Sequence, residues 1–415
     1  MGGSRVGESS SVNQAEVWVD LHVHLGRAAG RPVKISASPA LDLAGVLATA
    51  KAAVGLDGVG VVDACTVGGL ADLRAAVAAG ALRPVAGGGL VAADGLVILP
   101  AAEVELDMAG HRVHFVALLP DLDAASSLGQ RLARHVRNPW LSSQMAHDLD
   151  PAGLLAMAAT VGGVVWPAHA FTPHRGLYGC AVRSAAAPPP LGLGPRVFEG
   201  FIAVELGLSA DTAMADRLGE LAELSFVSNS DAHGLATLGR EVNRMRLRGP
   251  LDFTGVVRCL RREAGFEMVA NYGMEPAMGK YHRTGCLRCG RTADGPPPQA
   301  SCADCPGSRV VTGVLDRLAA IADRAEPQHP AHRPPYHRQV PLSSLPGVGP
   351  RTLGRLRSAL GPDLAVLHRA EADAIAAVAG GTVARWILAA RQGRLRLQAG
   401  GGGTYGKVLG VARLA

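Results

Sequence analysis

Val17-Trp18-Val19-Asp20-Leu21-His22-Val23-His24 is an apolar run that ends in two histidines, and its reading decides the fold. Side chains alternate along a strand, so His22 and His24 project to the same side and both imidazoles can reach one metal ion. An isolated H-x-H is equally compatible with two surface histidines at a strand end. The rest of the chain argues otherwise, because similar apolar runs keep ending in metal-type side chains. Gly58 to Val62 stops at Asp63, Leu96 to Leu99 leads to Glu103 and Glu105, and Val164 to Ala168 stops at His169. Phe201 to Val204 stops at Glu205, and Phe226-Val227-Ser228-Asn229-Ser230 runs into Asp231-Ala232-His233.

Helical stretches are expected between these runs, over Leu41 to Ala53, Leu70 to Ala79, Pro151 to Ala159 (with Asp150 as N-cap) and Asp211 to Leu224. Alternation of strands and helices implies parallel βα units, and about seven of them suggest an α/β barrel or a strongly curved sheet. Ligands of such folds sit at the C-terminal strand ends, which here carry His22, His24, Asp63, Glu103, His169, Asp231 and His233. Mixed imidazole and carboxylate donors suit zinc, manganese or iron, and Glu103 is placed to bridge two ions.

The chain of 415 residues is long enough for two or three domains, and 48% hydrophobic residues suffice for a large core. Its net charge of +6 is unevenly spread: between Arg333 and Arg413 there are twelve Lys and Arg against three Asp and Glu. A polyanion would be drawn to that end. Residues 1–15 are Ser/Gly-rich without an apolar centre and read as a disordered tail instead of a signal peptide. The longest uncharged stretch, Pro151 to Ala168, is broken by Gly162-Gly163 and Pro167, so no membrane span is expected. A cytoplasmic, nucleoid-associated protein is the expectation.

Past about Tyr272 the alternation stops. Cys286-x-x-Cys289 and Cys302-x-x-Cys305 flank a Gly/Pro-rich loop, a spacing that suits one closed, structural tetrahedral zinc, with redox pairs as the alternative. A helix is expected from Val311 to Ala325, then a Pro-rich connector. Leu342 to Leu353 contains Pro346-Gly347-Val348-Gly349-Pro350 and has the form of a helix-hairpin-helix. Gly347 and Gly349 would let the backbone approach a phosphate, with Arg351, Arg355 and Arg357 as counter-charge. A plain tight turn is the alternative. Two further helices are expected, Leu364 to Val378 and Thr382 to Arg391. The run Gly400 to Lys407 around Tyr405 either lies against a flat or charged ligand or is a flexible tail.

The order H-x-H, Glu103, P-A-H and S-D-A-H resembles the polymerase-and-histidinol-phosphatase (PHP) metallophosphoesterases. The segments PAHAFTP, ELGLSADTAMAD, SNSDAH, RPPYHRQVPL and GGGGTYGKV narrow this to a resemblance to the endonuclease Q family, from about Val17 to Val408. The resemblance implies a distorted (β/α)7 barrel over residues 16–271, a four-cysteine zinc element over 272–310 and a helical domain with a helix-hairpin-helix over 311–415. It also implies a DNA-repair endonuclease cutting 5′ to deaminated bases (uracil, hypoxanthine, xanthine) and abasic sites, leaving a 3′-hydroxyl and a 5′-phosphate. Residue by residue, His22, His24, Glu103, His169, Asp231 and His233 fall on the metal motifs, joined by His114 and Asp63. His22, Glu103 and Asp231 are the expected catalytic set.

Two or three divalent ions (Zn, Mn or Mg) in the barrel and one structural zinc are the cofactors so implied. Many PHP members carry Asp-His after the second strand where this chain has Asp63-Ala64. Either Asp63 substitutes or fewer ions bind. DNA carrying such lesions is the expected partner, contacted by Gly347, Gly349, Arg351, Arg355, Tyr336, Tyr405 and Lys407. Replication or repair proteins such as a sliding clamp are further candidates. A phosphatase or 3′-5′ exonuclease, and a non-catalytic accessory of a helicase or polymerase, are the rival functions. The basic C-terminal module speaks against the first pair, and the intact ligand motifs against the accessory.

Overall fold

The computed structural model describes residues 14–412. The expected tail over 1–15 thus lies outside the described residues, except for Gln14 and Ala15, which already belong to the first strand.

That strand, β1 (Gln14–Val23), is central in a mixed sheet. It pairs in parallel with β2 (Gly58–Val61), which pairs in parallel with β3 (Val97–Met108). β3 then turns back into β4 (His111–Leu118), and β5 (Val164–Pro167) runs antiparallel to β4. A parallel pair follows, β6 (Ala203–Glu205) and β7 (Ser225–Val227). The Ala170 amide donates to the Glu205 carbonyl at 2.8 Å, and the His24 amide to the Ala232 carbonyl at 3.2 Å. These bonds, made by residues just past β5, β7 and β1, tie the pair to its neighbours. On its other side β1 is flanked by β8 (Val242–Arg248), then β9 (Glu267–Met274), both antiparallel, and β10 (Tyr336–Gln339) extends the sheet parallel to β9.

The uniformly parallel units expected from the sequence are not what forms. Only two residues, Ala109 (φ 53°) and Gly110 (φ 84°), join β3 to β4, and a left-handed pair of this kind matches the twist of an antiparallel hairpin. Glu105 therefore faces His114 directly across the ladder.

Four expected helices are also shorter, among them Val311 to Ala325, which is helical only over Val314–Ile321. Leu41 to Ala53 is helical from Leu43 to Thr49 and then widens into a π turn closed by Gly55 (φ 95°). Asp211 to Leu224 holds one turn, Thr212–Ala215, and a 3-10 turn, Gly219–Leu221. There Arg333 donates to the Leu221 and Leu224 carbonyls at 3.1 and 2.6 Å and grips Asp216. Leu364 to Val378 splits into Asp363–His368 and Ala372–Ala379, because the Arg391 guanidinium caps the carbonyls of Val366, Leu367 and Ala370.

Apolar residues bury on both faces of the sheet, and a separate core gathers Val340 with Leu356, Leu367, Ile375 and Ile387 of the C-terminal helices. Domain boundaries at 272 and 311 do not coincide with these elements. β9 runs across Tyr272, and the helix Val314–Ile321 packs through Val314 and Leu318 into the core of the sheet. Among the described residues no helix is long and apolar enough to cross a membrane.

Candidate metal centre and its cavity

His22 and His24 lie fully buried on one face of β1. Each has its Nδ1 tied to a carboxylate: His22 lies 3.1 Å from both oxygens of Glu205, and His24 lies 3.2 Å from Oδ1 of Asp63. A carboxylate only accepts, so Nδ1 carries the proton and each Nε2 offers its lone pair. Both Nε2 atoms, and Oδ1 of Asp231, are buried without a hydrogen-bond partner.

These orphaned atoms converge. Nε2 of His22 lies 3.4 Å from Oε1 of Glu103 and 3.6 Å from Oδ1 of Asp231, while Nε2 of His24 lies 3.3 Å from Oε2 of Glu103 and 3.5 Å from Oδ1 of Asp231. Donors about 2.1 Å from a tetrahedral zinc would be roughly 3.4 Å apart, so the set fits an ion at its centre. Glu103 also belongs to a second group with His114 and His169, whose ring nitrogens lie 2.6 and 3.3 Å from Oε1. One carboxylate is thus shared between two groups able to hold metal.

The surroundings fix this geometry. Asp20, on the same strand face, accepts from the amides of Ser230 (3.0 Å) and Gly239 (3.2 Å) and pins the S-D-A-H loop to β1. Burial pushes the Asp20 carboxyl up to about 6. His169 (φ 30°) and Asp231 (φ 45°) both have left-handed backbones, a strain common at functional sites. Gly207 (φ 74°) passes so close to His169 that a Cβ there would sit 2.9 Å from the histidine Cβ. Burial opposes charge throughout the cluster, yet Glu205 and Glu103 raise His22 well above its usual range, and the charges of His114 and Lys34 hold Glu103 well below its own. A cation entering here displaces protons.

Not every expected ligand joins. Asp63 lies outside both groups, since Oδ2 accepts from the Leu25 amide at 2.5 Å while Oδ1 holds His24. In this arrangement it fixes the His24 ring. His233 also lies outside them: its Nδ1 is 2.9 Å from the Asp231 carbonyl, and burial pushes its imidazole down to about 4. Glu205 and Lys34 were missed by sequence reasoning. Glu205 had a signal, being, like Glu105, an acidic strand end left without a role; Lys34 sits in a loop and had none.

Above the floor opens a cavity of about 780 Å³. Its walls carry Lys34, Arg175, Arg240 and Lys280, with Tyr281 and Tyr405 among its aromatic side chains. Arg240 links floor to rim by donating to the Ser230 carbonyl (2.9 Å), the Asp231 carbonyl (3.3 Å) and the Tyr405 hydroxyl (3.1 Å).

Tyr336 is not at this cavity. It is part of β10, half-buried and packed over Gly273, with its hydroxyl 3.3 Å from the carbonyls of Ala210 and Met274. The Gly400 to Gly406 run is docked. Gly400, Gly403 and Gly406 donate their amides to Ala277, Lys280 and Met278 at 2.8, 2.9 and 3.0 Å, which leaves Tyr405 to reach the cavity through its side chain. Lys407 is exposed on the hairpin Leu395–Gln398/Lys407–Val411, away from the cavity.

The four cysteines Cys286, Cys289, Cys302 and Cys305 gather with all sulfurs within 4.8 Å of one another. Sγ of Cys289 and Cys302 are 3.7 Å apart, close to the roughly 3.8 Å edge expected for thiolates 2.3 Å from zinc. Further along, the expected first helix of the hairpin motif is a single 3-10 turn, Leu342–Ser344, followed by the helix Pro350–Leu360. Gly347, Gly349, Arg351 and Arg355 are exposed, and the helix start has no side-chain cap. Arg357 is instead paired with Asp363 at 2.7 Å.

Comparison with known proteins gives consistent results. No family model matches the chain. It is 36% identical over 398 residues to the uncharacterized protein YqxK of Bacillus subtilis, spanning 95% of this chain and 99% of that one. The crystal structure of the lesion-specific endonuclease PfuEndoQ from Pyrococcus furiosus superposes with a TM-score of 0.78 at 27% identity, over 95% of both chains. A crystal structure of endonuclease Q with a 27-mer duplex substrate bearing an abasic lesion at the active site gives 0.80 at 27% identity, over 95% of this chain and 96% of that one. With 95% of its length matched and its shared Glu103 between two groups of metal-type donors, the chain belongs to the endonuclease Q family and is a metal-dependent nuclease.

Proposed function

We propose that the protein is a DNA-repair endonuclease that hydrolyses the phosphodiester 5′ to a deaminated base (uracil, hypoxanthine or xanthine) or an abasic site, leaving a 3′-hydroxyl and a 5′-phosphate. The observation that carries this reading is the set of buried, unpartnered donors on His22, His24 and Asp231 aimed at Glu103, on the floor of a cavity large enough for one nucleotide. We read β1 to β7 as a distorted seven-stranded barrel around that floor. His22, His24, Glu103 and Asp231 would hold one divalent ion, and Glu103, His114 and His169 a second. When bound, such ions supply a Lewis acid and an activated water.

The protein's own groups do the remainder. Glu205 and Asp63 keep the Nε2 lone pairs aimed inward, and the cationic walls draw the DNA backbone into the cavity. Deaminated bases sit in weakened pairs and an abasic site has no stacking to lose, so turning such a nucleotide out of the duplex costs least. Tyr405 and Tyr281 offer faces for an extruded base. The exposed hairpin Pro346 to Gly349 with Arg351 and Arg355 would clamp phosphates without reading sequence.

Incubation of the protein and Mg²⁺, Mn²⁺ or Zn²⁺ with end-labelled duplexes containing uracil, hypoxanthine, an abasic site or no lesion tests this. One internal cut 5′ to the lesion, with an end that a polymerase extends, is the expected result. Stepwise release of nucleotides from an end, or hydrolysis confined to small phosphomonoesters, would overturn it.

A further inference from the structure

Lys34 is a largely buried lysine set against Glu103, the carboxylate that both metal groups share. Its side chain is 12% exposed, and Nζ lies 2.8 Å from Oε2 of Glu103 and 2.6 Å from Oγ of Ser143. Ser143 itself also bonds Oε2 of Glu103. An ammonium has three N–H donors, of which these contacts take two, and Lys34 lines the cavity.

The ammonium is held firmly. The Lys34 amide donates to the Leu25 carbonyl (3.1 Å), the Val33 amide to the Gly26 carbonyl (3.0 Å), and the Ser142 amide to the Val33 carbonyl (3.1 Å). Trp140 clamps the same two loops together, its indole N–H donating to the Pro32 carbonyl at 3.1 Å with Arg31 over its ring. Ser143 has a left-handed backbone (φ 50°), as do three other non-glycine residues lining the cavity, His169, Arg175 and Asp231. Among the described residues no further group of metal-type donors gathers on this side of Glu103. Asp63 is engaged by His24 and Leu25, Ala64 has no donor, and His233 stands outside both groups.

We infer that Lys34 is a catalytic residue of the phosphodiester cleavage, its ammonium taking the place of a third cation beside Glu103 and donating its remaining N–H to a non-bridging oxygen of the scissile phosphate. The inference rests on phosphodiester hydrolysis at this cavity but not on which lesion is recognised. Charge gathers on those oxygens in the transition state, and a fixed cation in a site of low dielectric stabilises it with no reorganisation.

The test uses Lys34→Met, which keeps the stem, and Lys34→Ala, in the full chain. Bis(4-nitrophenyl) phosphate is assayed beside the lesion duplex, so that a wrong lesion assignment leaves the simple diester still cleaved and the test of Lys34 intact. Both variants should melt as the wild type does and bind as many Mn²⁺ ions. The turnover number should fall about 10²-fold, affinity for inorganic phosphate in calorimetry should fall at least 10-fold, and methylammonium should restore part of the activity of Lys34→Ala. Turnover within threefold of wild type would overturn the inference, as would unchanged phosphate affinity or a loss of bound Mn²⁺ that accounts for the lost activity. Wild-type protein that cleaves neither substrate would overturn the hydrolysis itself.

Discussion

Nδ1 of His22 lies 3.1 Å from both carboxylate oxygens of Glu205, a residue 183 positions away, and both side chains are fully buried. The pair fixes the tautomer and the aim of His22, and Glu205 also accepts from the His169 amide (3.0 Å) and from Nδ2 of Asn229 (2.9 Å). One carboxylate thus ties together three of the segments that build the floor.

Glu205→Gln keeps the size of the side chain but removes the charge that holds His22. Such partners of metal-bound histidines are typically worth about 10- to 100-fold in metal affinity or activity. A loss of that size is expected in Mn²⁺ titration, with the melting temperature little changed. Unaltered affinity would mean that the His22 ring is held by packing alone.

Asp231→Ala and His22→Ala each remove an orphaned donor from the centre. Cleavage of a lesion duplex should fall below detection, while binding to DNA, measured by anisotropy, should persist because the basic C-terminal surface is untouched. Near wild-type turnover in either variant would relocate the centre.

Cys286→Ser removes one sulfur from the four-cysteine cluster. Metal-binding energy is folding energy for so small an element, so zinc content and melting temperature should drop together. One zinc fewer at an unchanged melting temperature would contradict a structural role.

Arg351 and Arg355 lie one helical turn apart on the exposed face of Pro350–Leu360. Replacing both by alanine removes up to two phosphate contacts, and the slope of log affinity against log salt should become shallower by up to about two units. An identical slope, from titrations at several salt concentrations, would put the DNA on another surface.

His368 joins the C-terminal helices to β1, its ring stacked on Trp18 and its Nε2 2.9 Å from Oε1 of Gln339. Burial, with Arg391 nearby, pushes its imidazole down to about 4 from the usual 6.5. The unfolded chain therefore takes up a proton that the folded one refuses as pH falls from about 6.5 to 4. Stability present above 6.5 is lost across that window, by about 2 kcal/mol at pH 5. His368→Phe should be less stable than wild type at pH 7.5, having lost the hydrogen bond, but should lose correspondingly less stability on going to pH 5 in urea titrations. A variant with the same pH dependence as wild type would place the acid-sensitive group elsewhere.

Local pattern alone was enough to mark the strand ends that carry metal-type side chains. An H-x-H at the end of an apolar run has two imidazoles on one face whatever surrounds it, and C-x-x-C knuckles carry their spacing with them. The four cysteines, His22, His24, Glu103, His114, His169 and Asp231 were all legible in this way, from residue type, position and family resemblance. What each of them touches follows from contacts made across the fold. Asp63 and Glu205 look alike as acidic strand ends, yet both orient histidines, because the hydrogen bonds that occupy them come from residues 38 to 183 positions away. Tyr336 and Tyr405 likewise read as equal candidates for stacking on a base. Strand pairing with β9 buries the first, and docking of the glycine run carries the second to the cavity. Local pattern fixes which groups a segment carries and which way they alternate; long-range hydrogen bonding and burial fix which of them remain free to bind.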